Sequence, residues 1–548
     1  MTVRTFLATG LALAWALPSA PAPLAGQPQD PWPETQRTTN RLGRCDWNGP
    51  HVPVLAWQAQ VVPGYGGPML HANPILDAQG RLFVVVYETV VALEAETGET
   101  LWTFTAGRDI VTAPSLWQGR LLFGSLDGTF YCLDAATSAV LWSVYDPDSK
   151  PFVSQVADSN GLIYHSDYRP DSTYILARSI ADGGLVWSVP TGCLAASVPS
   201  LHDPTQRLYI GAPCRFQWEC RSTRDGEVLW SSAVGRDEYG LSPIENNRVY
   251  VASRDWNLYA FDATTGQELW QFYAERYIVG DAAIGHDGDV YVATAGGIND
   301  WLYRISPDGE EIWRFPLQGY DVLNAPIIAG DGTIYISCWK SDGTPGGRVY
   351  AVNPNGTLLW QYDLPDKAVA SPTIGPDGTL YVLCYDRNVY AFRDWERAAP
   401  TGLTVLRGLV ISGGLPDLFD SDDSRLVVQT GQFAPSTEPP VQIEVTGTSP
   451  TETPSELKFR FEGMASRPFL ERRILLYNYV TQSYEELHVG FAATSDEVIE
   501  IVVTANASRF VEPGTQQVKS LMTWRAAAFS FFTGWNVGID QTIWRITH

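Results

Sequence analysis

The chain has 548 residues, 45% of them hydrophobic and 18% charged, which is enough for two or three globular domains with well-filled cores. Lys and Arg number 37 against 61 Asp and Glu, a formal charge of −24 that disfavours binding to nucleic acid or to an anionic membrane through bulk electrostatics. Aromatic residues make up 12%, with 20 Trp, a level suited to β-rich packing and to stacking surfaces.

At the N-terminus Arg4 precedes an apolar run at 6–17, too short to span a bilayer, and small residues and prolines follow it. Residues 1–25 are therefore expected to be a signal peptide, cleaved near Ala25. In "PLAGQ" (23–27), Gln27 stands where a lipoprotein signal would carry its lipidated Cys. The expected product is a soluble protein, secreted or periplasmic, without a membrane span.

"VLAWQAQV" (54–61) is the first predicted strand and carries Trp57. A cassette then returns through the next three hundred residues, and "LYAFDATTGQELW" (258–270) is its clearest copy. Seven copies end in Trp102, Trp142, Trp187, Trp230, Trp270, Trp313 and Trp360, spaced 40–47 residues apart. A period of that size built from short strands is a propeller-blade signature. Each repeat has a front half, as in "NAPIIAGDGTIYIS" (324–337), where Asp-Gly joins two alternating apolar runs by a tight turn. Four antiparallel strands per repeat make one blade, with the cassette Gly turning the chain and the Trp wedged between neighbouring blades. An eighth front half and third strand occur at 370–392 with no fourth strand after them. If the strand at 54–61 supplies it, the ring has eight blades and no free edge.

Residues 399–402 read as a linker between this propeller, 26–398, and a second domain, 403–548. The latter shows eight short alternating segments, from "GLVISGG" to "WNVGIDQTIWRIT", separated by Pro, Gly, Ser and Thr. That pattern predicts an antiparallel β-sandwich, with a jelly roll as one arrangement. The fold class is all-β throughout.

The pattern Ala260, Asp262, Thr265, Gly266, Trp270 resembles the tryptophan-docking repeat of the pyrroloquinoline quinone (PQQ) dehydrogenase propellers. It is similar also to non-enzymatic PQQ-like propellers, including the lipoprotein of the outer-membrane β-barrel assembly machinery, whose lipidated Cys is lacking here. The resemblance spans roughly residues 32–395 and implies a fold that both branches share. The dehydrogenase branch implies a quinone on the propeller axis, a calcium ion, a catalytic Asp and a disulfide between adjacent cysteines. No two cysteines here are adjacent, and no calcium and catalytic-Asp set matches the branch pattern.

Other chemistries lack their motifs. The seven histidines are scattered, no zinc or redox Cys pattern occurs, and neither HExxH, GxSxG nor a phosphate-cradling loop is present. Asp420, Asp422 and Asp423 in "DSDDS" could ligate Ca²⁺ but depart from the EF-hand pattern, and a solvated turn is the expected reading. No catalytic residue, metal ligand or cofactor is assigned.

Propeller topology gathers the second-to-third and fourth-to-first loops of each blade at one mouth. The candidate binding residues there are Arg236, Tyr239, Arg254, Trp256, Arg276, Tyr277, Trp301, Tyr320, Trp339 and Tyr385, with Asp321 nearby. Aromatic rings beside Arg and Asp suit a protein hot spot or a sugar-stacking platform, and equally suit packing over the blade tops. Among seven cysteines, Cys193 and Cys214 fall on one face of one blade and form the expected disulfide, with Cys214–Cys220 as competitor. Cys338 and Cys384 would pair only if their Cα atoms approach within about 7 Å. The leading expectation is an exported, non-catalytic binding or scaffold protein that uses the loop face to hold a protein partner in the cell envelope or outside the cell. Two alternatives stand beside it: a PQQ-dependent dehydrogenase, and an extracellular carbohydrate-binding protein with a polysaccharide partner.

Overall fold

A computed structural model describes residues 41–61, 73–111, 113–151, 154–193, 197–235, 242–297, 299–419, 424–430, 438–526 and 534–547. The expected signal peptide and the acidic turn at 420–423 lie outside the described residues. The structure is all-β with many four-stranded sheets, consistent with a β-propeller. It divides into two compact units: Met1–Asn48, Ala59–Pro376 and Tyr381–Val389 in one, and Gly49–Gln58, Asp377–Leu380 and Tyr390–His548 in the other.

In the first unit, one sheet serves as a template. Its strands Ile244–Glu245, Arg248–Ala252, Asn257–Asp262 and Glu268–Tyr273 lie side by side in chain order, each antiparallel to the next. The same order runs through the sheets at 75–105, 115–145, 150–190, 200–233, 277–316 and 320–364. In three of these, two short segments share the first-strand position, as Tyr277–Ile278 and Ala283–Ile284 do. One more sheet, not confined to the first unit, has the order Val54–Gln60, Asn388–Arg393, Leu380–Leu383, Thr373–Ile374.

The turn chemistry is written in the sequence. Between first and second strands, the Asp77, Asp158, Asp287, Asp331 and Asp377 carboxylates each accept the backbone N–H two residues on. This local bond imitates a backbone turn and frees the chain to reverse. Between third and fourth strands, Asp262 Oδ1 accepts from the Thr264 and Thr265 amides and from the Thr265 hydroxyl. Gly266 follows at φ +75°, where a side chain would be strained.

In the seven sheets whose strands lie in chain order, the third-to-fourth pairing carries a bulge just beyond that turn, as between Ala260 and Phe261. The bulge places the small Ala260 opposite Trp270 and leaves the extra residue, Leu269, exposed. Cys132 and Cys220 stand opposite Trp142 and Trp230 at this same small-residue position, which accounts for two buried free thiols.

The Trp rings join neighbouring sheets. The indole N–H groups of Trp102, Trp142, Trp187, Trp230, Trp270 and Trp313 each donate to a carbonyl in the next sheet's turn, at 2.8–3.2 Å. Trp230 also lies face-on to Gly266 of that next turn, so closely that a Cβ there would sit 2.5 Å from the ring. Tyr209, on the same sheet as Trp230, donates to the same Ala263 carbonyl. Tyr381 donates in the equivalent way to Ala95 in the first sheet, and Ser371 and Thr373 bond to Asn73 and Pro74. Trp360 packs beside Tyr335 at 5.9 Å, and Trp57 is half-buried in Val54–Gln60.

The second unit contains two antiparallel sheets. One has the order Leu409–Ser412, Leu426–Gln429, Asn536–Thr547, Glu456–Ala465, Glu497–Val503. The other runs Pro400–Arg407, Val441–Thr448, Gln517–Ala526, Leu470–Asn478, Ser483–Phe491. Alternate residues of both sheets share one core that includes Ile443, Phe459, Phe461, Trp524 and Trp544.

Residues 399–402, expected as a linker, run into the strand Pro400–Arg407. Pro is compatible with the first residue of a strand, and Gly402 sits at an irregular register against Thr446, so these apparent breakers open a strand. Trp395–Ala398, expected within the propeller, pairs with Asn536–Thr547. There the Trp395 ring is held between the Arg393 and Arg545 guanidinium groups, 3.8 and 4.6 Å from its centroid.

Candidate functional site

Loops at the second-to-third end of the sheets are built on one turn used repeatedly. In Ser253–Arg254–Asp255–Trp256–Asn257, the Ser253 amide donates to the Asn257 carbonyl (3.0 Å), and Asp255 Oδ1 accepts from the Asn257 amide (3.0 Å). The Trp256 carbonyl then accepts from Ala274, the first residue after the fourth strand, at 2.7 Å. That bond ties the second-to-third turn to the fourth-to-first connection, so both loop classes share one end of the sheet.

The structure brings some of the sequence-derived candidates together and sets others to packing. Trp256 meets Tyr277 edge-on at 5.7 Å and Tyr273 at 6.0 Å. Arg254 is exposed on the Trp256 turn, and Arg276 lies across Gly297. Trp301 is covered by Arg314 at 4.9 Å. Tyr320 is only 7% exposed, with Arg348 over its ring at 4.6 Å. Trp339 sits in the strand Ile334–Lys340 opposite Asp321 and Gly347. Tyr385 anchors its turn through its backbone N–H, which donates to the Lys367 carbonyl. Arg236 and Tyr239 lie outside the described residues.

Cys193 and Cys214 are joined by a disulfide, with Cα atoms 5.6 Å apart. Cys220, Cys338 and Cys384 are free and buried. Cys338 and Cys384 donate to the Arg348 and Asp366 carbonyls, and burial raises both thiols far above their ordinary range. Such thiols are packing groups rather than nucleophiles.

Two arrangements carry no signature in the sequence pattern. Asp300 is fully buried beside Asp321, and burial together with the hydrogen bond between the two carboxyls pushes Asp300 up to about 6. The Gly297 and Gly296 amides donate to Asp300 and Asp321, so the acid pair clamps two adjacent sheets at the loop end.

The second is the segment at 41–48, which passes along the first strands of successive sheets. Arg41, fully buried, donates to the Gln155 and Pro199 carbonyls. Arg44 grips Glu245 with both Nη atoms and donates to the Gly285 carbonyl. Ile284 and Ile328 donate backbone N–H groups to Leu42 and Gly43, and Cys45 donates to Ile328. His286 bonds to the Cys45 carbonyl at 2.9 Å, and the Trp47 indole donates to the Ile374 carbonyl at 3.0 Å. Gly43, at φ +67°, allows this close approach: a Cβ there would lie 2.8 Å from Ala283 Cβ.

The family model described as "Outer membrane protein assembly factor BamB" matches residues 40–211, 219–300 and 298–408, more than half of the chain. The chain belongs to this BamB family.

BamB of Burkholderia pseudomallei is 27% identical over 147 residues, covering 26% of this chain and 35% of that protein. The tetrathionate hydrolase of Acidithiobacillus ferrooxidans is 22% identical over 290 residues, covering 48% of this chain and 56% of the relative. The chain thus spans about half, or less, of the length of these two relatives. A europium-containing methanol dehydrogenase of solved structure superposes with a TM-score of 0.54 at 14% identity, over 65% of this chain and 89% of that one. The shared fold is the PQQ-type propeller, in which blades surround a central channel.

Within that fold, the first strands line the channel, the position the dehydrogenase branch implies for its quinone. The segment 41–48 is bonded to the first strands of several sheets, and the one disulfide joins cysteines 21 residues apart rather than adjacent ones. No group of three or more His, Cys, Asp or Glu among the described residues could hold a metal ion.

Proposed function

We propose that this protein is an exported, non-catalytic binding or scaffold module of the cell envelope. In this reading it is an eight-bladed propeller closed by Val54–Gln60 and followed by a β-sandwich, and residues 1–25 are a signal peptide. The family description, an outer membrane protein assembly factor, supports an envelope location and a protein partner. No helix among the described residues is long and apolar enough to cross a membrane.

The observation that carries the non-catalytic reading is the segment 41–48, which takes polypeptide into the first-strand region where the dehydrogenase branch would need room for a planar cofactor. Similarity to a methanol dehydrogenase favours the alternative at the level of fold. Titrating the purified chain with pyrroloquinoline quinone and Ca²⁺ separates the two. The proposal expects no stoichiometric uptake and no dye-linked alcohol oxidation, and observing either would overturn it. A crosslinking pull-down from envelope extract is expected to recover a defined protein partner.

A further inference from the structure

The core of the second unit holds an arginine that is only partly partnered. Along the strand Leu470–Asn478 alternate residues are buried, and Leu470, Ile474 and Leu476 point into the core shared by the two sheets. Arg472 belongs to the same row and is 1% exposed. An apolar side chain would satisfy the packing there without a charge to desolvate. The guanidinium lies over the Phe461 ring, 5.0 Å from its centroid, and the residue opposite Arg472 on the strand Gln517–Ala526 is the buried Trp524. Its Nη2 donates to Glu497 at 3.1 Å. Its Nε and Nη1 are buried and have no hydrogen-bond partner among the described residues. A buried donor left open destabilises the fold, so packing alone does not account for Arg472.

A histidine comes to the same place. On the strand Ser483–Phe491, Gly490 stands opposite Arg472 and His488 opposite Ile474. Gly490 has no left-handed φ that would call for glycine, and what it supplies is room: a Cβ there would sit 3.0 Å from His488 Nε2. That ring nitrogen is also buried and without a hydrogen-bond partner among the described residues. Burial, and then the Arg472 charge, lower His488 below its ordinary value, with Glu497 opposing. Glu497 is itself engaged, since its Oε2 accepts from Arg472 Nη2 and from the Ala493 amide.

The open atoms ask for an acceptor, and their surroundings set its charge. Arg472 and Glu497 cancel, so an added monoanion is balanced by a protonated His488, whereas a dianion stays unbalanced in an apolar setting. A carboxylate offers two oxygens, one for the guanidinium and one for the imidazole. Ser483–Phe491 and Glu497–Val503 are the last strands of their sheets, so the pair sits at the side of the unit rather than at its centre.

We propose that Arg472 and His488, meeting over Gly490, form a binding site for a small monovalent carboxylate, held by the open guanidinium N–H groups and the imidazole Nε2. The site is independent of the protein-binding reading, and either can fail alone.

The test uses the full chain with nitrogen-15 at the arginine Nε atoms, and the Arg472 signal is assigned by its loss in Arg472→Lys. Sodium acetate, exchanged for chloride at constant ionic strength, is expected to move that signal to saturation. Acetamide, its neutral isostere, is expected to leave it in place. Sulfate, a dianion, is expected to bind at least about tenfold more weakly than acetate. Gly490→Ala, which displaces the imidazole, and His488→Leu are each expected to weaken acetate by about tenfold. Acetate should also raise the Tm of the wild type and not that of Arg472→Met. A signal that acetate leaves in place, that acetamide moves equally, or that responds equally in Gly490→Ala would overturn the proposal, whether or not Arg472→Met folds. Equal binding of sulfate would overturn it too.

Discussion

The two ends of each sheet in the first unit are built differently. At the third-to-fourth end, each residue type serves packing in one way. Asp262 caps the turn, Gly266 admits the ring of Trp230, and Trp230 bonds to Ala263. At the second-to-third end, the backbone bonds repeat but the side chains do not, as Gly128, Trp256 and Arg387 illustrate. Repetition at one end marks what the architecture requires. Variation on a fixed backbone at the other marks what is available for recognition.

Substitutions can break or sharpen that contrast. The largest expected effect is at the uniform end: Trp230→Ala should cost about 3–5 kcal/mol, from lost burial and a cavity between sheets, read as a fall in urea midpoint. Asp167→Asn comes next, at about 3 kcal/mol, because the buried Asp167 lies 2.9 Å from His165 and accepts from Ser149. Burial alone would raise the Asp167 carboxyl, but His165 and Ser149 more than offset it and hold it below the ordinary carboxylate value. Its stabilisation is therefore complete above the unfolded value of about 3.9 and is lost as pH falls through the lower folded value. The gap between wild type and Asp167→Asn should shrink in strong acid, which unfolding curves at pH 7 and pH 2.5 would check.

Gly266→Ala should cost roughly 2–3 kcal/mol, from the left-handed backbone and the Cβ pressed on Trp230, and differential scanning calorimetry would detect it. A smaller effect is expected at the acid pair. With Asp300 raised to about 6, chiefly by burial, wild-type stability should fall as pH rises from about 4 through 6. Asp300→Asn should flatten that slope in the unfolding midpoint measured across the range. The smallest expected change in stability is at Trp256→Gly, since Gly128 makes the same turn bonds at the equivalent position, and thermal unfolding would check it.

The sequence made the uniform end legible because its logic is local. An Asp that caps, a Gly that turns and a Trp at fixed spacing announce themselves within thirteen residues. The face of Gly266 against the preceding Trp230 was hidden, since it joins two cassettes and is invisible in either one. Around the candidate site, loop class placed Trp256 and Tyr277 at the same end, but no spacing rule says that Arg348 covers Tyr320 or that Arg314 covers Trp301. Pro400 and Gly402 read as a break, although Pro can open a strand. "RLGRCDWN" (41–48) has no strand alternation, and only its Arg, Gly and Trp so close together could have drawn attention to it.

That same segment sets a condition on how the chain folds. Its hydrogen bonds reach from Arg41 to Gln155, 114 residues away, and from Trp47 to Ile374, 327 residues away. Contacts of such high sequence separation cannot form until most of the repeats exist, and loop closure must be met before any of them contributes. Residues 41–48 are thus among the last to find their places. Until they do, the first strands keep unpaired N–H groups at Ile284 and Ile328 open to the wrong strand, so the refolding yield should depend steeply on protein concentration.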